Sequence, residues 1–406
     1  MKKIYIYIFV SIILYGFIMG EEELVFENFS NEFNIDESVE ETKYDFENPY
    51  EKTYSFSGEL VLESDYYSYS GTNYKDKVFS QIYTNLNLEG RFKKNSKIYT
   101  SVKVQDTSDS SKDDLVGINE MFLDFNLYNK IYFRFGKQVL AWGTGYFFSP
   151  SDLINVDKKT IEDMEKTKGN LGLKIHIPRG TDKNFYSYIK VEDKEKISDV
   201  DLALKYEFLI NKTEYSLGFL NLGEEEKQIF STDFSSSFKG AMTFGELTLE
   251  NGKKVPYYKN GVLGNLGNKP VLKLSLGYSR VFDDISTNKD KNIQLIQEIY
   301  YNGAVYSKSE KNGIPLNVYN PYSQGKWYLA TFITFSEFLG DKTTLIFNVL
   351  SGFTDNAHQL NLTYNYDFTN RLTLGTFITG YISNGSKEGE FYYPNGIIGI
   401  KGKYEF

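Results

Sequence analysis

Cysteine is absent from the 406 residues, and only two His, two Trp and 8 Pro occur. The missing thiol excludes disulfide scaffolds, thiolate nucleophiles, Cys-ligated zinc or iron-sulfur sites and lipid attachment at an N-terminal cysteine. His176 and His358 lie far apart in the sequence, which excludes a histidine-rich metal site. No cofactor and no metal are therefore expected. No apolar run of about 18 residues follows residue 20, so ordinary membrane helices are excluded from that part of the chain. A basic stripe is lacking too, and nucleic acid is not an expected partner.

What is present is aromatic. Tyr (34) and Phe (32) dominate a 17% aromatic share, although hydrophobic residues reach only 41% and the mean hydropathy is -0.41. Such a chain carries enough large apolar surface to offset the entropy of ordering, yet is too polar for a helical membrane bundle.

Met1-Lys2-Lys3, the apolar run from Ile4 to Met19 and Gly20 read as a secretory signal peptide over residues 1–20. Twelve acidic side chains against Lys43 alone follow between residues 21 and 51, while residues 52–406 are neutral overall. Like charges at this density repel, so residues 21–52 are expected to be a disordered periplasmic lead-in. Whether they plug a pore is open at this stage.

From residue 53 to residue 406 the dominant signal is alternation at period two in segments of about ten residues. Ile98, Thr100, Val102 and Val104 share one face against Tyr99, Ser101, Lys103 and Gln105; Met121, Leu123, Phe125 and Leu127 oppose Glu120, Asp124 and Asn126, with Phe122 as an exception. Strands are predicted near 54–66, 78–90, 97–106, 118–127, 131–139, 170–178, 184–192, 200–209, 213–222, 228–238, 241–249, 271–282, 293–305, 326–338, 343–351, 358–368, 371–381 and 396–406. That makes eighteen, or sixteen if the weak 228–238 segment and a neighbour merge or drop.

The connections alternate in length. Those at 67–77, 107–117, 140–169, 250–270, 306–325 and 382–395 are long, whereas 128–130, 210–212, 239–240, 339–342 and 369–370 are short. The connections at 223–227 and 283–292 break the rule. One rim of turns and one rim of loops is the mark of an outer-membrane barrel. The last strand places Ile398, Ile400, Gly402, Tyr404 and Phe406 on one parity and stops at Phe, and is similar to the carboxyl-terminal insertion signal read by the barrel-assembly machinery.

Physics then asks for closure. A backbone amide or carbonyl in hydrocarbon needs an internal partner, and strands provide one throughout only when the sheet has no free edge. The fold expected is all-β, a transmembrane antiparallel barrel, with its apolar parity toward outer-membrane lipid and its polar parity toward a lumen too wide for side chains to fill. Trp327, at a strand start, fits an interfacial aromatic girdle. Inward parity carries both signs, among them Glu120, Asp124, Glu298, Arg134, Lys174 and Lys205, so no clean ion preference is expected.

The connection at 140–169 is the longest and has the ordinal position of the third external loop. Thirty residues without packing are uncommon, so the loop is expected to fold inward and narrow the lumen. Gly143 and Gly145 would let the chain turn sharply, Pro150 and Asp152 supply turn chemistry with a helix cap into 157–168, and Trp142 is either a girdle residue or an anchor on the inner wall. Asp152 and Asp157 on the loop facing Arg134 and Lys174 on the adjoining strands would set a transverse field.

Gly136-Lys137-Gln138, then Trp142-Gly143-Thr144-Gly145, then Pro150-Ser151-Asp152-Leu153-Ile154-Asn155 resembles the signature of a large family of porin-like outer-membrane barrels. Tyr300-Tyr301-Asn302-Gly303 is similar to a stretch in the later strands of that family. The resemblance implies a channel in the outer membrane of a diderm bacterium for passive or substrate-selective diffusion of small hydrophilic solutes. Alternatives are a surface adhesin or antigen barrel and a transporter of hydrophobic compounds with an N-terminal hatch. Self-association into a homo-oligomer is left open. Catalysis is not expected, since His358 has no Ser partner nearby in sequence.

Overall fold

The computed structural model describes residues 53–69, 75–92, 96–108, 115–140, 142–152, 154, 169–192, 196–224, 226–252, 256–259, 262–265, 270–283, 292–303, 325–354, 356–382 and 395–406. The expected leader at 1–20 and acidic segment at 21–52 lie outside the described residues, as do Asn155 and Asp157.

The first strands are β1 (Thr53–Ser68), β2 (Lys77–Phe92), β3 (Ser96–Thr107), β4 (Val116–Leu127), β5 (Ile131–Gln138) and β6 (Asn170–Pro178). There follow β7 (Lys183–Lys190), β8 (Asp201–Ile210), β9 (Thr213–Leu222), β10 (Lys227–Phe238), β11 (Ala241–Gly252) and the short pair β12 (Pro256–Lys259) and β13 (Val262–Asn265). The chain ends with β14 (Val271–Asp283), β15 (Asn292–Asn302), β16 (Trp327–Ser336), β17 (Thr343–Gly352), β18 (Ala357–Asp367), β19 (Leu372–Ile382) and β20 (Gly396–Glu405).

Apart from the β12–β13 hairpin, these form one 18-stranded sheet in which each strand pairs antiparallel with its sequence neighbours. The sheet closes where β1 pairs with β20, from Glu59 opposite Glu405 to Ser68 opposite Gly396. Beyond the last register pair, Gly58 and Phe406 exchange both backbone hydrogen bonds at 2.9 Å. Every predicted strand is present and the count is eighteen. The difference lies at 250–270, expected as plain loop, where Pro256 opposite Asn265 begins a small separate hairpin.

Short turns gather at the rim that carries the start of β1 and the end of β20. Lys239 and Gly240 both take positive φ (48° and 74°), the geometry that matches a two-residue hairpin turn to strand twist. The β17–β18 connection, only 353–356, is a further brief one at the loop rim.

Outward parity is apolar: Leu60, Leu62, Ile82, Leu88, Leu123, Phe135, Leu217, Leu276 and Ile400 are all exposed on the bare protein. Aromatic pairs collect near the turn rim, such as Phe125 and Phe133 stacked at 5.0 Å and Phe56 against Phe406 at 5.8 Å. At the loop rim Trp327 is exposed and packs on Tyr301 at 4.8 Å, the girdle position expected of it. Tyr404 also faces outward beside Phe406.

Phe122, the exception to the alternation, is buried on the inward face. The Arg134 guanidinium lies 3.9 Å from its ring centroid and Tyr99 packs at 5.2 Å, so an apolar ring in the lumen is covered by a cation and a neighbouring ring.

Candidate functional site in the barrel interior

β5 ends in Gly136-Lys137-Gln138. Gly136 has φ 135°, and a Cβ there would sit 2.2 Å from the Met121 carbonyl oxygen, so only glycine fits. Gln138 is fully buried and its side-chain amide reaches the Gly136 and Gly172 carbonyls at 3.4 Å. The chain then leaves the strand and runs over the inward face of more distant strands.

Trp142 is buried against Tyr188 of β7, Ala203 of β8, Leu220 of β9 and Ile229 of β10, all of inward parity. Its carbonyl accepts a hydrogen bond from Lys205 Nζ at 2.8 Å. The ammonium also lies 2.9 Å from Glu207 and 3.6 Å from Asp233, so its charge is balanced within the wall. The side chain thus packs with inward-parity residues of β7 to β10.

Beyond Trp142 two carboxylates receive the backbone. Glu246 of β11 accepts from Thr144 N–H at 2.5 Å, Gly145 N–H at 2.7 Å, Ser149 Oγ at 2.9 Å, Ser151 N–H at 3.0 Å and Ser151 Oγ at 2.8 Å. Glu298 of β15 accepts from Phe147 N–H at 2.8 Å and Phe148 N–H at 3.2 Å. Both carboxylates are almost fully buried. Removing a charge from water is costly unless donors surround it, and each charge-assisted bond returns about 1.5–3 kcal/mol.

Gly143 and Gly145 give this arrangement space. A Cβ on Gly143 would lie 1.8 Å from Ser149 Oγ and 2.4 Å from Glu246; one on Gly145 would lie 2.0 Å from the Phe148 carbonyl and 2.8 Å from Glu298. The missing side chains give room for close approach to the carboxylates. Pro150 stands second in a turn closed by Asp152 N–H on the Ser149 carbonyl at 3.1 Å, where its fixed φ is favoured. Asp152 is buried, and the return limb is tied by Asn170 Nδ2 to the Ile154 carbonyl at 2.7 Å.

At the far end Phe148 stacks on Tyr300 of β15 at 4.8 Å and packs on Tyr328 of β16 at 5.8 Å, while Phe147 meets Phe332 at 5.9 Å. The loop that carries the first motif thus touches the second: Phe148, between Gly145 and Pro150, lies on the first Tyr of Tyr300-Tyr301-Asn302-Gly303.

Arg134 and Lys174 are register partners on β5 and β6, but Arg134 forks onto Asp124 at 2.7 and 3.0 Å and Lys174 lies over the Tyr186 ring at 5.4 Å. The described loop takes its partners from the acidic side chains of β11 and β15. Inward parity had pointed to Glu298 and Lys205; Glu246 was missed, although Glu246, Thr248 and Glu250 alternate with Leu247 and Leu249.

Ser351 and His358 are register partners, with Ser351 Oγ 3.0 Å from His358 Nδ1. This partner, seven residues away, escaped the sequence reading. Among the described residues no carboxylate bonds the other ring nitrogen. The pair is a hydrogen bond on a nonlumenal face and lacks the orienting acid of a hydrolytic triad.

No protein-family model matches the chain, and no curated protein matches it by sequence. Solved structures do. Pseudomonas aeruginosa OccK9 (OpdG) is similar with a TM-score of 0.56 at 10% identity, covering 88% of this chain and 98% of that one. OccK11 (OpdR) of the same organism gives 0.55 at 9% identity, with 86% and 96% covered. OccK2 (OpdF) gives 0.54 at 11% identity, with 87% and 97% covered, and its complex with glucuronate gives 0.52. At these identities the likeness is one of fold.

Proposed function

We propose that the chain is an outer-membrane channel of a diderm bacterium that passes small hydrophilic solutes by diffusion, with the third external loop as its constriction. The observation that carries this reading is an eighteen-stranded sheet closed on itself, apolar outside and polar inside. Closure of this size leaves an aqueous interior, and an apolar outer face needs hydrocarbon around it. The fold shared with OccK2, one structure of which holds glucuronate, supports a small polar cargo.

In this reading the described segment from Trp142 to Ile154 reduces the cross-section of the lumen. Selectivity then comes from the inward side chains left facing water, as in other pores where rings of charge and constrictions decide passage. Residues 1–20 direct export, residues 21–52 form a periplasmic lead-in, and the strand ending in Tyr404 and Phe406 is offered to the assembly machinery. The chain carries no catalytic function here.

Reconstitution of the mature, heat-modifiable protein into a planar bilayer tests the proposal. Stepwise conductance is expected, and its absence from correctly folded protein removes the reading. Deleting residues 146–164 should raise single-channel conductance severalfold; an unchanged value removes the constriction.

A further inference from the structure

The loop's backbone contains two pockets of donors that the wall fills with its own carboxylates. In one, Thr144 N–H, Gly145 N–H, Ser149 Oγ and Ser151 N–H and Oγ converge on Glu246; in the other, Phe147 N–H and Phe148 N–H converge on Glu298. Convergent N–H groups form a concave anion site whatever molecule supplies the anion. Positions 143 and 145 are glycine, and a Cβ at either would collide with the carboxylate or with the loop atoms around it.

The two sites differ in what they join. Glu246 receives donors from the outgoing limb (144, 145) and from the returning limb (149, 151), so a single side chain holds the hairpin shut as well as holding it to β11. Glu298 receives only the tip, which the Phe148–Tyr300 stack also supports. Among the described residues no cation of the loop takes part in these bonds, so carboxyl groups of the wall meet dipoles of the loop.

We propose that Glu246 and Glu298 are positioning residues that dock the third external loop by occupying preformed carboxylate sites in its backbone, Glu246 being the dominant one. The inference deepens the channel reading through the same loop. Docking depends on a carboxylate as such. An amide of the same shape presents donors to donors and loses half of its accepting capacity, so it does not substitute. An alanine leaves the site empty and open to a small anion from solution. The native side chain holds the site because tethering gives it an effective concentration far above that of free solutes.

The test needs no conduction. The chain has no cysteine, so Ile154→Cys places a single thiol on the buried return limb, outside both carboxylate sites and the Phe148–Tyr300 stack. In detergent micelles, with heat-modifiability confirming the barrel, its labelling by a water-soluble maleimide is expected to rise at least tenfold when Glu246→Gln is added, and by a smaller factor with Glu298→Gln. Glu246→Asp, which keeps the carboxylate, should stay nearer the parent rate. In the Glu246→Ala background, about 0.1 M formate should slow labelling again while chloride at equal ionic strength does not. Equal rates in parent and both Gln variants would overturn the docking role. Labelling that rises but ignores formate would overturn the carboxylate-specific site. Failure of the channel reading shows separately, as absent wild-type conductance alongside intact thiol protection.

Discussion

The two halves of the barrel wall are built from the same alternating strands and end up unlike one another. On the half from β7 to β18, inward side chains meet the loop, and Tyr188, Glu246, Glu298, Tyr328 and Leu350 are almost fully buried. Over the strands β1 to β6, Asp65 is buried, but most inward charges stay partly exposed and pair across neighbouring strands, as in Arg134 with Asp124 and Lys97 with Glu89 at 3.5 Å. On the first half Glu246 and Glu298 are surrounded by donors from the loop. On the second half a carboxylate such as Asp124 is one member of a solvated charge pair, of the sort that contributes about 1 kcal/mol or less. Parity puts a side chain in the lumen; what lies over it decides its role.

This contrast can be broken from the loop-bearing half. Gly145→Val would drive a side chain into the Phe148 carbonyl and Glu298, and should cost the docked loop about 3 kcal/mol or more through overpacking and lost charge-assisted bonds. With Trp327→Phe, Trp142 becomes the sole tryptophan. Its emission should shift to the red in the Gly145→Val variant; an unchanged spectrum would contradict the docking geometry.

Tyr300→Ala removes the ring under Phe148 and should lower stability by about 3 kcal/mol, measured by guanidinium unfolding of the vesicle-inserted protein. Retention of wild-type stability would show that the two motifs do not support each other.

The solvated half predicts a smaller response. Arg134→Ala loses a fork to a half-exposed Asp124 and a cation over Phe122, together on the order of 1 kcal/mol. Trp142 emission should be unaffected. A red shift there would mean that the two halves are coupled after all.

The smallest effect lies at the loop rim. Asp76 accepts from Tyr66 Oη at 2.5 Å and from Tyr69 N–H at 2.9 Å, and the hydrogen bond from Tyr66 holds its carboxyl below the ordinary carboxylate range. A lowered value means that the tie is present above the unfolded carboxylate's titration and is lost as pH falls through the lower, folded one. Amide exchange at Tyr69, corrected for intrinsic rate, should therefore stay constant from neutral pH to roughly pH 5 and quicken only below roughly pH 4. Asp76→Asn should show the fast behaviour throughout.

Much of this was legible without coordinates because a barrel strand answers to two solvents at once. Lipid outside and water inside write period two into every segment, and even the weak segment at 228–238 proved to be β10, whose Phe230, Phe234 and Phe238 share one parity. The β12–β13 hairpin was not legible, since four-residue strands around Pro256 and Gly261 give alternation too little length to show. In the loop, Trp142, Gly143, Gly145 and Pro150 stood out by type, but the carboxylates beside the glycines did not. Those carboxylates, Glu246 and Glu298, come from residues a hundred or more positions later.

Alternation, turn spacing and a terminal aromatic strand alone determined that the chain closes into an antiparallel barrel, because local periodicity carries the demand that no backbone group be left unpaired in hydrocarbon. Only the tertiary structure decided that Glu246 and Glu298 are the carboxylates that receive the loop. Which of many inward acids meets a given backbone amide depends on how far a hairpin reaches across the lumen, and that distance is set by the diameter of the closed sheet and by no local pattern in the chain.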